Sequence, residues 1–587
     1  MRRVDFLRQT GYFYLFAAGN QLFPSNLSPM LMRTLFLAVM FLYCVVGHSQ
    51  ELGWVVSNGG SGEDSGYQVA SSPDETVVVY GSISENPDFD PGPGLVPVET
   101  QAHFIAKYSR SGELVWVNFH EFIPGSVLGI DHEGNIVVAG NFYGTVDFDP
   151  GDGTHSLSAG MDWNAFVAKY SSAGDFLWVK QFAGTNHESF SAIAIDHLDE
   201  IILTGRFHGQ LDVDPGLDTF WLNSPAGSNP YVLKLDPDGQ FIWAGHMNSG
   251  PFGQINALGV DESNQIYGVG YYEYFLDVDM GPDTVLLDDL VGPSNGFAVK
   301  LTPSGQLVWA NDFAFSDDNK GSLGTLAVTS DGHTWVAGRF KGDVDVDPGP
   351  DVQLFSSDGT FTDILMLHFD PDGALLDAYQ LGGPGADAER SILVSDAGLV
   401  YLAGAYQQTV DFDPGVGQLL RTAVNGSDIF VAKFEETGHP EWVACMGGPK
   451  SEDPRDIALD DSGNVFLTGG YNGTVDFDPG PEDWLLTSKP GIGTGSDYFL
   501  MRIDDETTPI ALPHLDDAAY IEPNPVSGNC RIVNVPELRQ VRVYSIQGVA
   551  VLEGTTEFLD VEDLPAGLYY VVISTDQENL ILPLIKQ

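Results

Sequence analysis

Fourteen aspartates, arranged as seven pairs with one residue between partners, are the side chains of this sequence best suited to chemistry. They are Asp88 and Asp90, Asp147 and Asp149, Asp212 and Asp214, Asp277 and Asp279, Asp345 and Asp347, Asp411 and Asp413, and Asp476 and Asp478. In an extended segment, residues i and i+2 project to one side about 7 Å apart, so two hard carboxylate oxygens can meet one calcium ion. Carbonyl oxygens of the turn that follows, Pro-Gly in all but one copy, would add donors. The pattern is shorter than an EF-hand loop and lacks its closing glutamate. A mechanical reading competes with calcium, the one cofactor suggested: the second aspartate forms an Asx-turn over Pro-Gly, and each copy is scaffolding.

Other motifs carry less. GPSNG at Gly292 to Gly296 has the G-x-S-x-G pattern of a nucleophile elbow, but such an elbow follows a strand and opens a helix. Here it precedes the strand-like FAVKL, which makes Ser294 a loop residue. TSDGHTW at Thr329 is similar to a sialidase Asp-box turn with one residue missing, and the arginines such chemistry gathers on a carboxylate are few. The 13 histidines show no H-E-x-x-H or other metal-ligand spacing. No catalytic residue is assigned.

The elements that hold these aspartates recur. Successive first aspartates lie 59, 65, 65, 68, 66 and 65 residues apart, the signature of repeated supersecondary units that bury their apolar faces against one another. In the unit starting at Ser191, SAIAID is one strand, DHLDE a polar turn and EIILTGRF a second strand. After LDVDPG and a variable excursion come YVLKLD, the turn DPDG and QFIWAGH. Four short strands with tight turns make one antiparallel blade. The last strand ends in Trp116, Trp178, Trp243, Trp309 and Trp442, with Asp377 the exception. The seventh unit lacks its fourth strand, and ELGWV at Glu51 copies the missing GELVWV pattern. The expectation is an all-β fold: a seven-bladed β-propeller of four-stranded blades over residues 50–506, closed by an N-terminal strand, which removes free sheet edges.

These units resemble the bacterial (SBBP-type) β-propeller repeats. The matching segments are DHEGNIVVAG from Asp131 to Gly140, DDSGNVFLTG from Asp460 to Gly469, NAFVAKYSSAG at Asn164 and SDIFVAKFEETG at Ser427. The resemblance implies the fold and is close to silent on activity.

Composition narrows the partners. Against 82 acidic residues stand 25 basic ones, a formal charge of -57, so the clustered cations that bind nucleic-acid phosphate or an anionic membrane are absent. Hydrophobic content of 43% argues against disorder. Cys44, Cys445 and Cys530 imply no disulfide framework. Residues 32–49 have a basic start, an apolar run from Leu35 to Val46 and small residues Gly47 and Ser49, a signal peptide cut between Ser49 and Gln50. Residues 1–31 read as an upstream extension or a misassigned start. No other stretch is long and apolar enough for a transmembrane span.

After a linker at 507–519, residues 520–587 resemble the C-terminal sorting domain of the type IX secretion system of the Bacteroidetes, expected as a small β-sandwich. The carried positions are Pro523, Asn524 and Pro525, the VRVYSIQG segment ending at Gly548, and LPAGLYYVVI with Leu564, Gly567 and Tyr569. One departure is the terminus, LILPLIKQ, where Pro583 interrupts the expected strand. The resemblance implies the secretion machinery as a partner and a secreted or outer-membrane surface location. The leading functional expectation is a binding module for an extracellular glycan, peptide or surface protein. The alternatives are a polysaccharide hydrolase or lyase at the channel mouth and a structural envelope or matrix protein. The ligand-binding face is expected to carry the long connections with Trp221, Trp484 and Tyr272.

Overall fold

The computed structural model describes residues 50–586 except 61, 85–87, 91–95, 121–126, 186–187, 288–294, 316–320, 350–351, 358–359, 396, 416, 481, 490–494, 506–519, 523–528, 534–538, 546–549, 555, 557, 562–563, 566 and 575–578. The expected signal segment, Ser49, the linker, Ser294, Pro523, Asn524, Pro525 and Gly548 lie outside the described residues. The chain forms two compact units, Met1–Glu506 and Thr507–Gln587.

No described residue is helical, and the described residues of the first unit form five four-stranded antiparallel sheets and one eight-stranded sheet that joins two more such groups. Blade 1 is Ser65–Ser71, Val77–Ile83, Ala102–Tyr108 and Leu114–His120. Blade 7 is Asp453–Leu459, Val465–Tyr471 and Asp497–Asp504, completed on its outer edge by Glu51–Asn58 in register Glu51↔Asp504 to Asn58↔Tyr498. The innermost strands touch in a closed circuit, each meeting the next and the seventh meeting the first. The fold is therefore a β-propeller with its ends joined by the N-terminal strand.

Local chemistry explains the blade. The first connection is a tight turn such as Asp131 to Asn135, where Asp131 Oδ1 accepts from the N–H groups of Glu133 at 3.0 Å and Asn135 at 2.8 Å. Its fourth residue needs positive φ: Gly134 adopts +79°, and Asp199 and Asn264 adopt +59° and +58° where the repeat has no glycine. The residue between the paired aspartates is fully buried in every copy: Phe89, Phe148, Val213, Val278, Val346, Phe412 and Phe477. Phe148, for example, packs against Phe142 and Phe166. Alternation in an extended chain thus turns one apolar side chain into the core and two carboxylates away from it.

Adjacent blades are held at two levels. On the face of the long connections, chain leaving one blade bridges to the next at or beside its first aspartate: Ala183↔Asp212, Asn248↔Asp277, Gly382↔Asp411 and Gly447↔Asp476. On the tight-turn face a cation and a tryptophan sit opposite each other across the third and outer strands: Lys107↔Trp116, Lys169↔Trp178, Lys234↔Trp243, Lys300↔Trp309, Lys433↔Trp442 and Arg502↔Trp54. Many of them donate to one main-chain carbonyl in the facing turn of the next blade. Lys300 Nζ and Trp309 Nε1 reach Pro371 O at 3.0 and 3.2 Å, and Arg502 Nη1 and Trp54 Nε1 reach Arg110 O at 3.0 and 2.9 Å. The buried lysines are paired as well, Lys169 with Asp131 at 2.8 Å and Lys433 with Asp505 at 2.6 Å. A buried cation demands such partners.

In the second unit, a three-stranded sheet (Tyr520–Glu522, Asn529–Val533, Phe558–Asp560) and a four-stranded one (Ala550–Gly554, Gln540–Ser545, Gly567–Ser574, Asn579–Lys586) share one core, including Ile532, Val543, Leu559, Val571 and Leu584. This is a small β-sandwich. The last strand continues through Pro583, which pairs with Tyr570. It lies at the sheet edge, where the missing N–H of proline is tolerated.

Candidate functional site

The paired aspartates close a loop of fixed size. The regular strand ends at the first aspartate in six copies, at Asp147, Asp212, Asp277, Asp345, Asp411 and Asp476. Its Oδ1 accepts N–H groups from two and eight residues ahead: Asp147 from Asp149 and His155, Asp212 from Asp214 and Phe220, Asp277 from Asp279 and Val285. Asp345, Asp411 and Asp476 repeat this with Gln353, Leu419 and Trp484, and Asp88 does so with Asp90 and Val96. The second aspartate lies in the turn, where Oδ1 of Asp149, Asp214, Asp279, Asp347, Asp413 and Asp478 accepts the N–H of a glycine two residues on. The main-chain donors of His155 and Asp149 hold the Asp147 carboxyl below the usual range. Six of the pairs are thereby committed, through Oδ1, to an Asx-turn and a loop clasp, and Asp88 makes the same clasp. Among the described residues, no pair is joined by a third His, Cys, Asp or Glu at ligand distance.

The clasp presents apolar side chains to solvent. Directly across the ladder from the first aspartate stand Trp221, Leu286, Leu354, Leu420 and Leu485, exposed in five consecutive blades. Beside them Phe220, Val285 and Trp484 are also exposed. Tyr272, expected on this surface, is instead fully buried, its hydroxyl donating to Asp312 Oδ1 at 2.9 Å. It ends the strand Ile266–Tyr272, and alternation points it inward. Two cavities open on the propeller. One of about 240 Å³ lies between blades 7 and 1 among Tyr67, Asp453 and Arg455, and one of about 410 Å³ on the tight-turn face among Asp131, His132 and Asp460.

One constellation has no counterpart among the expected sites. At the junction of blade 5 (Ser322–Val328, Thr334–Phe340, Asp363–Phe369, Leu375–Leu381) with blade 6 (Ala388–Val394, Val400–Asp411, Leu420–Phe434, Pro440–Met446), the lysine–tryptophan pair is replaced by His368↔Asp377. The carboxylate seat of the first turn, Asp131 in blade 2 (Val127–Ile130, Ile136–Asp147, Ser156–Tyr170, Phe176–Gly184), is Thr329, and the facing turn supplies Glu436 where three other blades have Pro237, Pro303 or Pro371. His333 Nδ1 lies 3.4 Å from His368 Nε2, and the His333, His368 and Glu436 ligand atoms fall within 4.8 Å of one another. His368 is buried and stacked on Trp335 at 4.2 Å and 9°. Burial, with His333 beside it, pushes the His368 imidazole down to about 4, and burial together with Glu436 raises the Asp377 carboxyl. Asp377 was visible in the sequence as the one break in the tryptophan series. The matching break at His368, in LMLHF where other units read FAVKL or FVAKF, is the signal that would have completed the set.

In the second unit Tyr569 is buried and its hydroxyl donates to Pro565 O at 2.8 Å. Leu564 N–H donates to Val561 O at 3.1 Å, and Gly567 opens the strand Gly567–Ser574. These bonds tie Leu564 and Tyr569 to the main chain around them.

Comparison with known proteins adds the following. Residues 520–587 match the family described as the secretion system C-terminal sorting domain. A curated relative, an uncharacterized WD repeat-containing protein of Acanthamoeba polyphaga mimivirus, is 24% identical over 426 residues, covering 60% of this chain and 30% of the relative. The chain thus spans under a third of that protein. Similar solved structures include the WD40 repeats of RRP9, at 10% identity and TM-score 0.36, covering 78% of this chain and 99% of that one. PorZ, a surface component of the type IX secretion system of Porphyromonas gingivalis, shows 10% identity and TM-score 0.23, with 91% and 86% covered. The polysaccharide lyase Uly1 shows 9% identity and TM-score 0.39, with 78% and 100% covered. Residues 520–587 are a type IX secretion sorting domain, and the chain is an exported β-propeller protein, secreted or held at the cell surface.

Proposed function

We propose that this exported propeller is a binding protein, and that the face of the clasped hairpins recognises an extracellular glycan, peptide or surface protein. The observation that carries this reading is the row of exposed apolar side chains, Trp221, Leu286, Leu354, Leu420 and Leu485, set at one ladder position in five blades and fixed by the aspartate clasps beneath. Exposed aromatic and aliphatic groups on a rigid scaffold favour recognition, since they bury apolar area with little loss of side-chain freedom. The test is a panel of glycans, polysaccharides and peptides offered to the full chain, reading both retention and released product. Trp221→Ala and Trp484→Ala should weaken retention of a hit without changing the melting temperature. Retention that survives both substitutions, and is lost on altering the Asp131 turn, would place recognition on the opposite face. Released product would replace binding by catalysis. Calcium at the paired aspartates is a further proposal for this face, supported by the carboxylate density there and tested by chelation.

A further inference from the structure

On the tight-turn face, the seat between blades 5 and 6 departs from the lysine–tryptophan pair of the repeat, and four of its positions carry nitrogen or oxygen groups. Drift alone would leave a gap filled by water or apolar atoms. Instead the lysine becomes His368, the tryptophan becomes Asp377, the turn proline becomes Glu436, and the last residue of the first turn, Asn135 in blade 2, becomes His333. We propose that this junction is a mononuclear site for a divalent transition metal, zinc by ligand chemistry. Its ligands are His333 Nδ1, His368 Nε2 and the Glu436 carboxylate, and a fourth position opens to solvent.

The geometry carries the assignment. Two nitrogens bound to zinc at about 2.0–2.1 Å with a tetrahedral angle lie about 3.4 Å apart. The two imidazole nitrogens stand 3.4 Å apart, at the weak end of what a hydrogen bond between them would require. The other nitrogen of His368, Nδ1, is buried without a hydrogen-bond partner and faces Asp377 Oδ2 at 3.9 Å. A carboxylate behind a ligating histidine is the arrangement that fixes its tautomer and orientation. Stacking on Trp335 restricts ring rotation, so half of the site is set before any ion arrives. Glu436 is exposed on the facing turn and can close on the ion by side-chain rotation. Two imidazoles select against calcium, which takes oxygen ligands. Among the described residues, no other three His, Cys, Asp or Glu side chains approach this closely. Two ligands come from blade 5 and one from blade 6, so the ion would do across this junction what lysine and tryptophan do at the others.

The test uses the full chain, stripped with a chelator and titrated with cobalt(II) and then zinc in excess calcium. The expected result is one equivalent of cobalt with the visible absorption of a tetrahedral nitrogen–oxygen site, displaced by zinc, and a higher melting temperature in the loaded protein. His333→Asn and Glu436→Gln should each lower cobalt affinity about tenfold or more and leave the metal-free melting temperature unchanged. Because His368 is buried, its loss is better tested with the repeat residues restored together, His368→Lys with Asp377→Trp and Glu436→Pro, which should fold and take up no cobalt. Absence of stoichiometric uptake would overturn the assignment. So would uptake unchanged in the variants, or loss on His132→Ala, which breaks a different histidine contact, His132 with His197 at 5.9 Å between ring centres.

Discussion

The two junctions that flank blade 6 share a hairpin-face bridge and differ on the other face. Toward blade 7, Lys433 is buried between Asp505 at 2.6 Å and Glu441 at 3.0 Å, and Asp505 also accepts from Trp442 Nε1 and the Tyr401 hydroxyl. Toward blade 5, the corresponding seat holds two histidines and two carboxylates that make no comparable network. Both junctions keep the main-chain bridge at the first aspartate, Gly382↔Asp411 and Gly447↔Asp476. The lesson is that doubled fastening frees one of the two fasteners: where the hairpin bridge holds the blades in register, the tight-turn seat can change its chemistry without opening the ring.

Removing the cation on the ordinary side should have the largest effect. Lys433→Ala leaves Asp505 buried beside Glu441 without its counter-charge, and breaking a buried pair costs about 3–5 kcal/mol. Denaturant unfolding of the full chain measures it, and a loss below 1 kcal/mol would mean that the seat is not a fastener. A smaller effect concerns what the two junctions share under the hairpin face. Burial, with Asp363 beside it, pushes Asp387 up to about 7, and burial with Asp428 beside it pushes Glu452 up to about 8. A carboxyl raised above its unfolded value stabilises fully below that unfolded value and loses this contribution as pH rises through the folded one. Asp387→Asn with Glu452→Gln should therefore match the parent near pH 4 and exceed it by about 1–3 kcal/mol at pH 8. Parallel stability curves would show that these groups do not titrate with unfolding.

Smaller again, restoring the repeat at the histidine junction, with Thr329→Asp added to the triple substitution, should raise stability in metal-free buffer by about 0.5–2 kcal/mol. A destabilised product would mean that the histidines pack better than the repeat residues, and the comparison would fail. The smallest expected change is at the hairpins. Asp147→Asn with Asp149→Asn keeps the Oδ1 acceptors and removes only charge, so the melt in chelator should hardly move. A calcium-dependent shift in the parent that these variants lose would establish the ion, and identical melts with and without calcium would remove it.

What could be read in the sequence was local or periodic. The four-strand unit, its turns, the tryptophan register and the ELGWV copy all follow from spacing and turn chemistry, and the pairing of Glu51–Asn58 with Asp497–Asp504 bears out that copy as the closing strand. The end of the strand at the first aspartate was not legible, because Oδ1 is taken by an N–H eight residues ahead, across a loop of variable sequence. Tyr272 looked like a loop residue in YYEYF, yet strand alternation buries it. The histidine site was hidden for another reason. Its members come from two blades with no linear spacing between them, and only superposing the units shows that His368 and Asp377 fail at partnered positions.

Closure by the N-terminal strand also has a consequence for the life of the chain before it is complete. The segment made first pairs with the segment of the propeller made last, Glu51 with Asp504, so the ring cannot shut until the whole propeller has been synthesised. Until then the strand at Glu51–Asn58 waits without its partner Asp497–Asp504, a contact of very long sequence separation that forms slowly. Closure therefore acts as a length check. A chain stopped short of residue 497 keeps an open edge for proteases to find, and only a full-length propeller hides it.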